Sequence, residues 1–147
     1  MFGTMIGKAV SKTSLISAVS VLMFSGMVMA ATPSPEGASV YIISPADGAT
    51  VSSPVKVQFG LSGMGVAPAG VDKEKTGHHH LIIDAAAPEA GKPIGKDAQH
   101  MHFGGGQTEA MVELKPGKHT LQLVLGDKGH VPHNPAVMSK PITITVK

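Results

Sequence analysis

Short stretches in which apolar and polar residues alternate recur from residue 40 to the end of the chain. The clearest run over residues 55–59, 108–114 and 141–146, and every second side chain in each is apolar. An alternation with period two places one face of a β-strand in a core and the other in water. Segments rich in Pro and Gly separate these stretches, and none keeps a helical period for more than a few residues. The pattern therefore predicts an all-β fold.

The number and spacing of the candidate strands indicate the architecture. Residues 40–43, 78–84 and 119–125, and the short pair at 50–51, add further candidates to those above. Pro116 and Gly117 predict a hairpin turn between two of the strands. About seven short antiparallel strands joined by tight turns are typical of an immunoglobulin-like β-sandwich. We therefore predict one such sandwich, with a core built from Val, Ile, Leu and Phe because cysteine and tryptophan are absent.

The start of the chain follows a different pattern. Lys8 and Lys12 precede an apolar run over residues 15–27, and small residues stand near Ala30. This order is typical of a secretory signal peptide that is cleaved on export. We expect the mature protein to be periplasmic, with no membrane association after cleavage. The predicted division is a signal peptide over residues 1–30, an exposed lead-in over 31–39 and a single domain over 40–147.

The charge of the chain argues against nucleic acid as a partner. The chain has twelve lysines and no arginine. Two of the lysines lie in the predicted signal peptide. The ten that remain equal the ten acidic residues, so the mature domain has no concentrated basic surface of the kind that nucleic acid requires. The absence of cysteine excludes a disulfide and a lipidated cysteine anchor.

Histidine is the residue that carries candidate chemistry. All eight histidines lie between His78 and His133. Two His-x-His pairs stand at strand spacing, which projects both rings of a pair from one face, and a third pair stands in a Pro-rich loop. Neutral imidazole is a common ligand of copper, zinc and nickel ions. The predicted metal ligands are His78, His80, His100, His102, His130 and His133. Met101 favours copper, because a thioether is a soft donor.

The remaining histidines and two acidic residues have less direct roles. His79 and His119 share faces with apolar residues, which predicts hydrogen-bonded core side chains rather than ligands. Asp84 and Asp127 are candidate acceptors for ring N–H groups of the ligands. The sequence Gly-Asp-Lys-Gly around Asp127 is equally typical of a turn.

Three linked segments resemble a known family. The His-His-His-Leu-Ile-Ile-Asp segment at 78–84, the segment 100–109 with its triple glycine, and the segment 121–135 with its His-Val-Pro-His motif are similar to a bacterial secreted family, domain of unknown function number 4399. The resemblance implies a periplasmic sandwich domain and supplies no function. Residues 44–59 are more loosely similar to periplasmic copper-resistance sandwich proteins of the CopC type. Those proteins place a histidine at the mature N-terminus, where this chain has Ala31.

The sequence leaves three functional hypotheses. The leading one is a soluble periplasmic protein that binds a transition-metal ion, copper before zinc or nickel, for metal handling. The second is a cell-envelope adaptor that binds another periplasmic protein without a metal, and it predicts that the histidine clusters lie far apart. The third is a metal-dependent enzyme with Glu109 as general base, which requires that carboxylate to reach a metal-bound water.

Overall fold

A computed structural model describes Gly3 and residues 30–147, and those residues form nine strands and no helix. The all-β prediction is confirmed. The predicted signal peptide, apart from Gly3 and Ala30, lies outside the described residues. The strands are β1 (Ser39–Ser44), β2 (Thr50–Val51), β3 (Val55–Ser62), β4 (Gly65–Val66), β5 (Thr76–Ile83), β6 (His100–His102), β7 (Glu109–Val112), β8 (Gly117–Gly126) and β9 (Ile142–Val146).

The strands form two sheets. One has three strands in the order β1-β3-β7, and the other has the order β2-β9-β8-β5-β4. Strand β6 also pairs with β5, so β4 and β6 use successive parts of the same edge of β5. The pairs β2–β9 and β4–β5 are parallel and the others are antiparallel. The structure thus has more strands than the seven predicted, and not all of its pairs are antiparallel.

The core lies between the two sheets. Val57 and Phe59 of β3 face inward from the smaller sheet, and Leu81, Leu123 and Ile144 face inward from the larger one, all fully or almost fully buried. These residues occupy alternate positions of their strands, as the period-two pattern predicts. The shared core establishes the sandwich arrangement of the two sheets.

The predicted hairpin at Pro116 and Gly117 is wrong. Strand β7 pairs with β3, with Val112 opposite Val55, whereas β8 pairs with β5 and β9. The segment around Pro116 therefore carries the chain from one sheet to the other. The alternation in β7 requires only that its apolar face meet a core, and either sheet of a sandwich satisfies that requirement.

The outer face of the six-stranded sheet is covered by two loops. His78, His80 and Ile82 of β5 point to this face, away from the core side chains of the same strand. The loop of residues 84–99 and the start of the loop of residues 127–141 lie over it, and they meet where the Ile94 backbone N–H donates to the His130 carbonyl at 2.8 Å. The later part of the second loop forms bridges to β8, from Pro132 to Gly126 and from Met138 to Val124. The face is thereby partly covered, although it is the outside of the sandwich.

In the part of the chain that the structure describes, there is no helix with the length and apolarity needed to cross a membrane.

The alternation in β5 gives a direct test of the packing. Leu81 has no exposed surface, so Leu81→Ala should lower the free energy of unfolding by about 2–5 kcal/mol through lost burial and a residual cavity. Ile43 is 59% exposed, so Ile43→Ala serves as the control and should change stability by less than about 1 kcal/mol. Urea unfolding followed by circular dichroism measures both. Equal losses in the two variants would contradict the assigned faces.

Candidate metal centre

The triple histidine of β5 is buried along its whole length, and its side chains alternate between the two faces. His78, His79 and His80 have relative exposures of 0%, 0% and 1%. His79 points into the sandwich, where its ring lies 5.1 Å from that of Phe59, centroid to centroid. His78 and His80 point to the covered outer face, as the strand period predicts.

Two further histidines meet this pair on the outer face. Strand β6 places His102 directly opposite His80, and the loop after β8 brings in His130. The Nε2 atom of His78 lies 3.0 Å from Nε2 of His80 and 3.1 Å from Nδ1 of His130. One nitrogen from each of the four rings lies within 4.8 Å of the others. These four residues, which we call the four-histidine cluster, form a group that could hold a metal ion.

The spacing of the four-histidine cluster is close to what a metal requires. Metal–nitrogen bonds of about 2.0–2.1 Å place the nitrogens of a tetrahedral site roughly 3.3 Å apart. Two of the nitrogen separations, 3.0 and 3.1 Å, are already close to this value. The widest is no more than 4.8 Å, so closing on an ion takes a shift of about 1.5 Å or less.

A tight loop presents His130 to the other rings. His130 has a positive φ of 65°, and its backbone N–H donates to the Asp127 carbonyl at 2.9 Å. The Asp127 carboxylate accepts from the backbone N–H groups of Gly129 and Val131 at 2.9 and 3.0 Å. It also accepts from the Thr32 hydroxyl at 2.8 Å. The predicted lead-in is thereby tied to the loop that carries His130.

Two glycines leave room for the imidazole rings. A Cβ atom on Gly126 would lie 2.7 Å from His80 Nε2, and one on Gly104 would lie 2.7 Å from His102 Nε2. Such distances are too short for non-bonded atoms, so any side chain at either position would displace a ring. The last residue of β8 and the first residue of the triple glycine therefore shape the site by lacking a side chain.

Comparison with known families shows to which family this chain belongs. The model of a family described as a domain of unknown function (DUF4399) matches residues 57–147. The chain belongs to this family. The matched range of the DUF4399 domain contains all four histidines of the cluster and both loops that cover it. No curated protein and no solved structure matches the chain.

Burial favours the neutral form of three histidines in the cluster of the DUF4399 domain, because it lowers the pKa of His78, His80 and His102. Desolvation, followed by the charges of neighbouring histidines, lowers the pKa of His78 from 6.5 to about 4 and that of His80 from 6.5 to about 3. Desolvation, with the charges of His130 and Lys96, also lowers the pKa of His102. Metal ligation requires neutral imidazole. His78 and His80 therefore keep their lone pairs available at mildly acidic pH.

The other two predicted ligands lie outside the four-histidine cluster. The register of β6 sets His100 opposite Ile82, two residues further along β5 than His80, and its Nδ1 donates to the Asp97 carboxylate at 2.8 Å. His133 is buried against backbone, with ring nitrogens 3.3 and 3.2 Å from the carbonyl oxygens of Leu125 and Thr76. Each ring thus has a local hydrogen-bonding role.

The histidines predicted as core residues differ from each other. His119 lies on β8, where its Nδ1 is 2.6 Å from the Asp84 carboxylate and its other nitrogen is 2.8 Å from the Lys115 carbonyl. These hydrogen bonds raise the pKa of His119. His79 is buried, as expected, but neither of its nitrogens has a hydrogen-bond partner among the described residues. The prediction of a hydrogen-bonded side chain fits His119 and is wrong for His79.

The two aspartates predicted to accept from the ligand rings, and the predicted soft donor, have other contacts. Asp84 accepts from His119 and the Thr120 backbone, and Asp127 holds the His130 loop. Consequently the Nδ1 atoms of His78 and His80 have no acceptor within the described chain. Met101 packs against the sandwich core, because it lies between two residues that face the other way. Met101 therefore gives no support for copper.

Sequence reasoning missed two residues of the covering loop. Ile94 is buried over the cluster, and Lys96 lines the opening beside it. The available signal was the length of the segment between β5 and β6, because loops of that length in compact domains are often functional. Gly126 was missed as well, since in sequence it indicates only a turn.

The depressed pKa values predict acid sensitivity of the metal-free protein. Between about pH 6.5 and 4.5, His78, His79 and His80 are protonated in the unfolded chain and neutral in the folded one, because burial lowers each folded pKa to about 4, 4 and 3. Unfolding therefore takes up protons. Stability is fully present above pH 6.5 and falls as the pH falls, by about 1.4 kcal/mol per pH unit for each proton. His119, whose pKa is raised, is charged in both states across this window.

Urea unfolding in the presence of a chelator, at half-unit pH steps, measures this slope. The variant His79→Leu removes one of the buried imidazoles from the core while leaving the four-histidine cluster intact, so its slope should be shallower. A free energy of unfolding that is constant between pH 7 and 4.5 would contradict the assignment of neutral buried rings.

Proposed function

We propose that this protein binds one transition-metal ion through His78, His80, His102 and His130 and that it serves metal handling in the periplasm. The observation that carries the proposal is the convergence of four imidazole nitrogens from β5, β6 and the loop after β8. These residues lie up to 52 positions apart in the chain. Such a convergence costs desolvation of several polar groups, and a bound cation would offset that cost.

The donor set favours copper(II). It consists of imidazole, with no thiolate or carboxylate in the group, and the Met101 thioether packs against the sandwich core. Among divalent first-row ions, a nitrogen site has its highest intrinsic affinity for copper(II), ahead of zinc and nickel. Copper is thus favoured by its affinity for nitrogen rather than by a thioether. Zinc and nickel remain the competing ions.

Burial of the cluster weighs against the adaptor hypothesis. A histidine patch that binds a protein partner needs accessible rings, and His78 and His80 are 0% and 1% exposed. The enzyme hypothesis also loses its general base. Glu109 lies on β7 in the three-stranded sheet, where its carboxylate pairs with the Lys56 ammonium at 3.2 Å and accepts from Gln58. Metal binding for handling is the role that these contacts support best.

A pair of variants on β6 tests the ligand set. His102→Gln removes a cluster ring, whereas His100→Gln removes the ring two residues away that bonds to Asp97. By calorimetry with copper(II), zinc(II) and nickel(II), the wild-type protein should bind one ion tighter than roughly 10 μM. His102→Gln should weaken binding at least about tenfold, or 1.4 kcal/mol, and His100→Gln should leave it nearly unchanged.

Three outcomes would overturn the proposal. One is the absence of binding tighter than about 10 μM for all three ions. A second is an equal loss of affinity in His100→Gln and His102→Gln. The third is a stoichiometry above one ion with wild-type affinity in both variants, which would indicate scattered surface binding.

The glycine beside His80 gives a second test that alters no ligand. Gly126→Ala should displace the His80 ring, because the new Cβ would lie 2.7 Å from its Nε2. We expect copper(II) affinity to fall by about 10–100-fold, the range seen when the support of a ligand is disturbed. Gly129→Ala is the control, since its Cβ would have only ordinary contact, 3.6 Å from Asp127. Unchanged affinity in a folded Gly126→Ala protein would contradict the site geometry.

A further inference from the structure

The four-histidine cluster is enclosed on one side and open on another. His78 is fully buried beneath the loops, but a pocket reaches the cluster from solvent. The pocket is lined by His80, Ile94, Lys96, His102 and His130. Three of these five are cluster members, so an ion held there would face the opening. Four protein ligands and an open side leave room for one more donor from solvent.

The charge of the metal complex requires compensation. Four neutral imidazoles bring no negative charge to a divalent ion, and the group contains no carboxylate. Asp127 lies outside the donor set, where its carboxylate accepts from Thr32, Gly129 and Val131, and it supplies one negative charge close enough to act on His78. The positive charge of a divalent ion that remains is still costly to bury partly in a medium of low dielectric. An anion at the opening would reduce that cost.

Lys96 makes the opening more positive still. It is exposed at the rim of the pocket, and its charge acts on His102. Within the described residues its ammonium has no carboxylate within ion-pair distance. On the same loop, Lys92 pairs with Glu89 at 2.6 Å. A lysine beside a cation site repels the metal, and a negative group between the two would be attracted to both charges.

We propose that the metal ion binds together with a small carboxylate, which takes the open coordination position and contacts Lys96. A carboxylate has two oxygens, so one can ligate the metal while the other accepts from the ammonium. A halide is a single atom, so it is less able to ligate the metal and contact the ammonium at the same time. Ile94, buried in the wall of the pocket, offers apolar contact to a short substituent on the carboxylate. This inference rests on the proposed metal site and assigns its second ligand.

Azide on the copper(II)-loaded protein is the probe for the open position, because it gives a charge-transfer absorption band when it ligates copper. In perchlorate buffer the wild-type complex should develop this band, and acetate should displace the azide at lower concentration than chloride does. Lys96→Gln should weaken acetate binding about fivefold, the effect of one solvent-accessible ion pair. Lys92→Gln is the matched control and should behave as wild type.

The copper(II) affinity of Lys96→Gln separates an electrostatic role of Lys96 from a structural one. Without any coordinating anion, Lys96→Gln should bind copper(II) as tightly as wild type or more tightly, since a repulsive charge is removed. A variant that had merely disturbed the loop would lose affinity for both copper and acetate.

Each other outcome overturns the inference. Copper binding without an azide band shows that the position is closed. Equal displacement by chloride and acetate, or equal acetate affinity in Lys96→Gln and wild type, removes the assigned ligand. Absence of copper binding in the first step defeats the proposed function itself, and it is distinguished from the other failures because it is seen before any anion is added.

Discussion

The alternation of side chains along β5 is the constraint on which the site depends. Because successive residues point to opposite faces, the triple histidine cannot act as one unit. His79 enters the sandwich beside Phe59, while His78 and His80 leave it. Strand β5 has neighbours on both edges, β8 on one and β6 on the other. Its side chains are therefore fixed in direction by backbone pairing on both sides, and His102 is brought opposite His80 by the same ladder.

The loops over the outer face of the sheet complete the four-histidine cluster. The outer face of a sandwich sheet is ordinarily solvated, and four imidazoles there would titrate as free histidine. Here the Asp127 turn folds His130 over the face, and the backbone bond from Ile94 to His130 joins the two covering loops. The resulting burial lowers the pKa values of His78 and His80, so both rings stay neutral and able to ligate a metal. The burial also leaves their Nδ1 atoms without a hydrogen-bond partner among the described residues. A ligand bound to the rings would offset the free-energy cost of burying these polar groups.

The sequence predicts local features of this arrangement well and long-range ones poorly. The period-two pattern identified the longer strands and the faces of His78, His80 and Leu81, because alternation depends on neighbours in the chain. It could not show that β7 pairs with β3 rather than β8, since both sheets offer an apolar face. The His-x-His motif at 100 and 102 predicted two ligands, but register sets one ring beside His80 and the other beside Ile82. His130 and His133 were likewise equivalent in sequence. In the structure the loop held by Asp127 brings His130 to the cluster, whereas His133 lies against the Leu125 and Thr76 carbonyls.

The most direct measurement of the central claim is the location of the ion itself. Anomalous diffraction at the copper or zinc absorption edge, from crystals of the metal-loaded protein, would place the ion relative to the rings. We predict one ion about 2.0–2.1 Å from nitrogens of His78, His80, His102 and His130, under the loops and beside Lys96. An ion bound instead at His100 or His133, or four rings that stay in mutual hydrogen bonds while metal sits elsewhere on the surface, would contradict it.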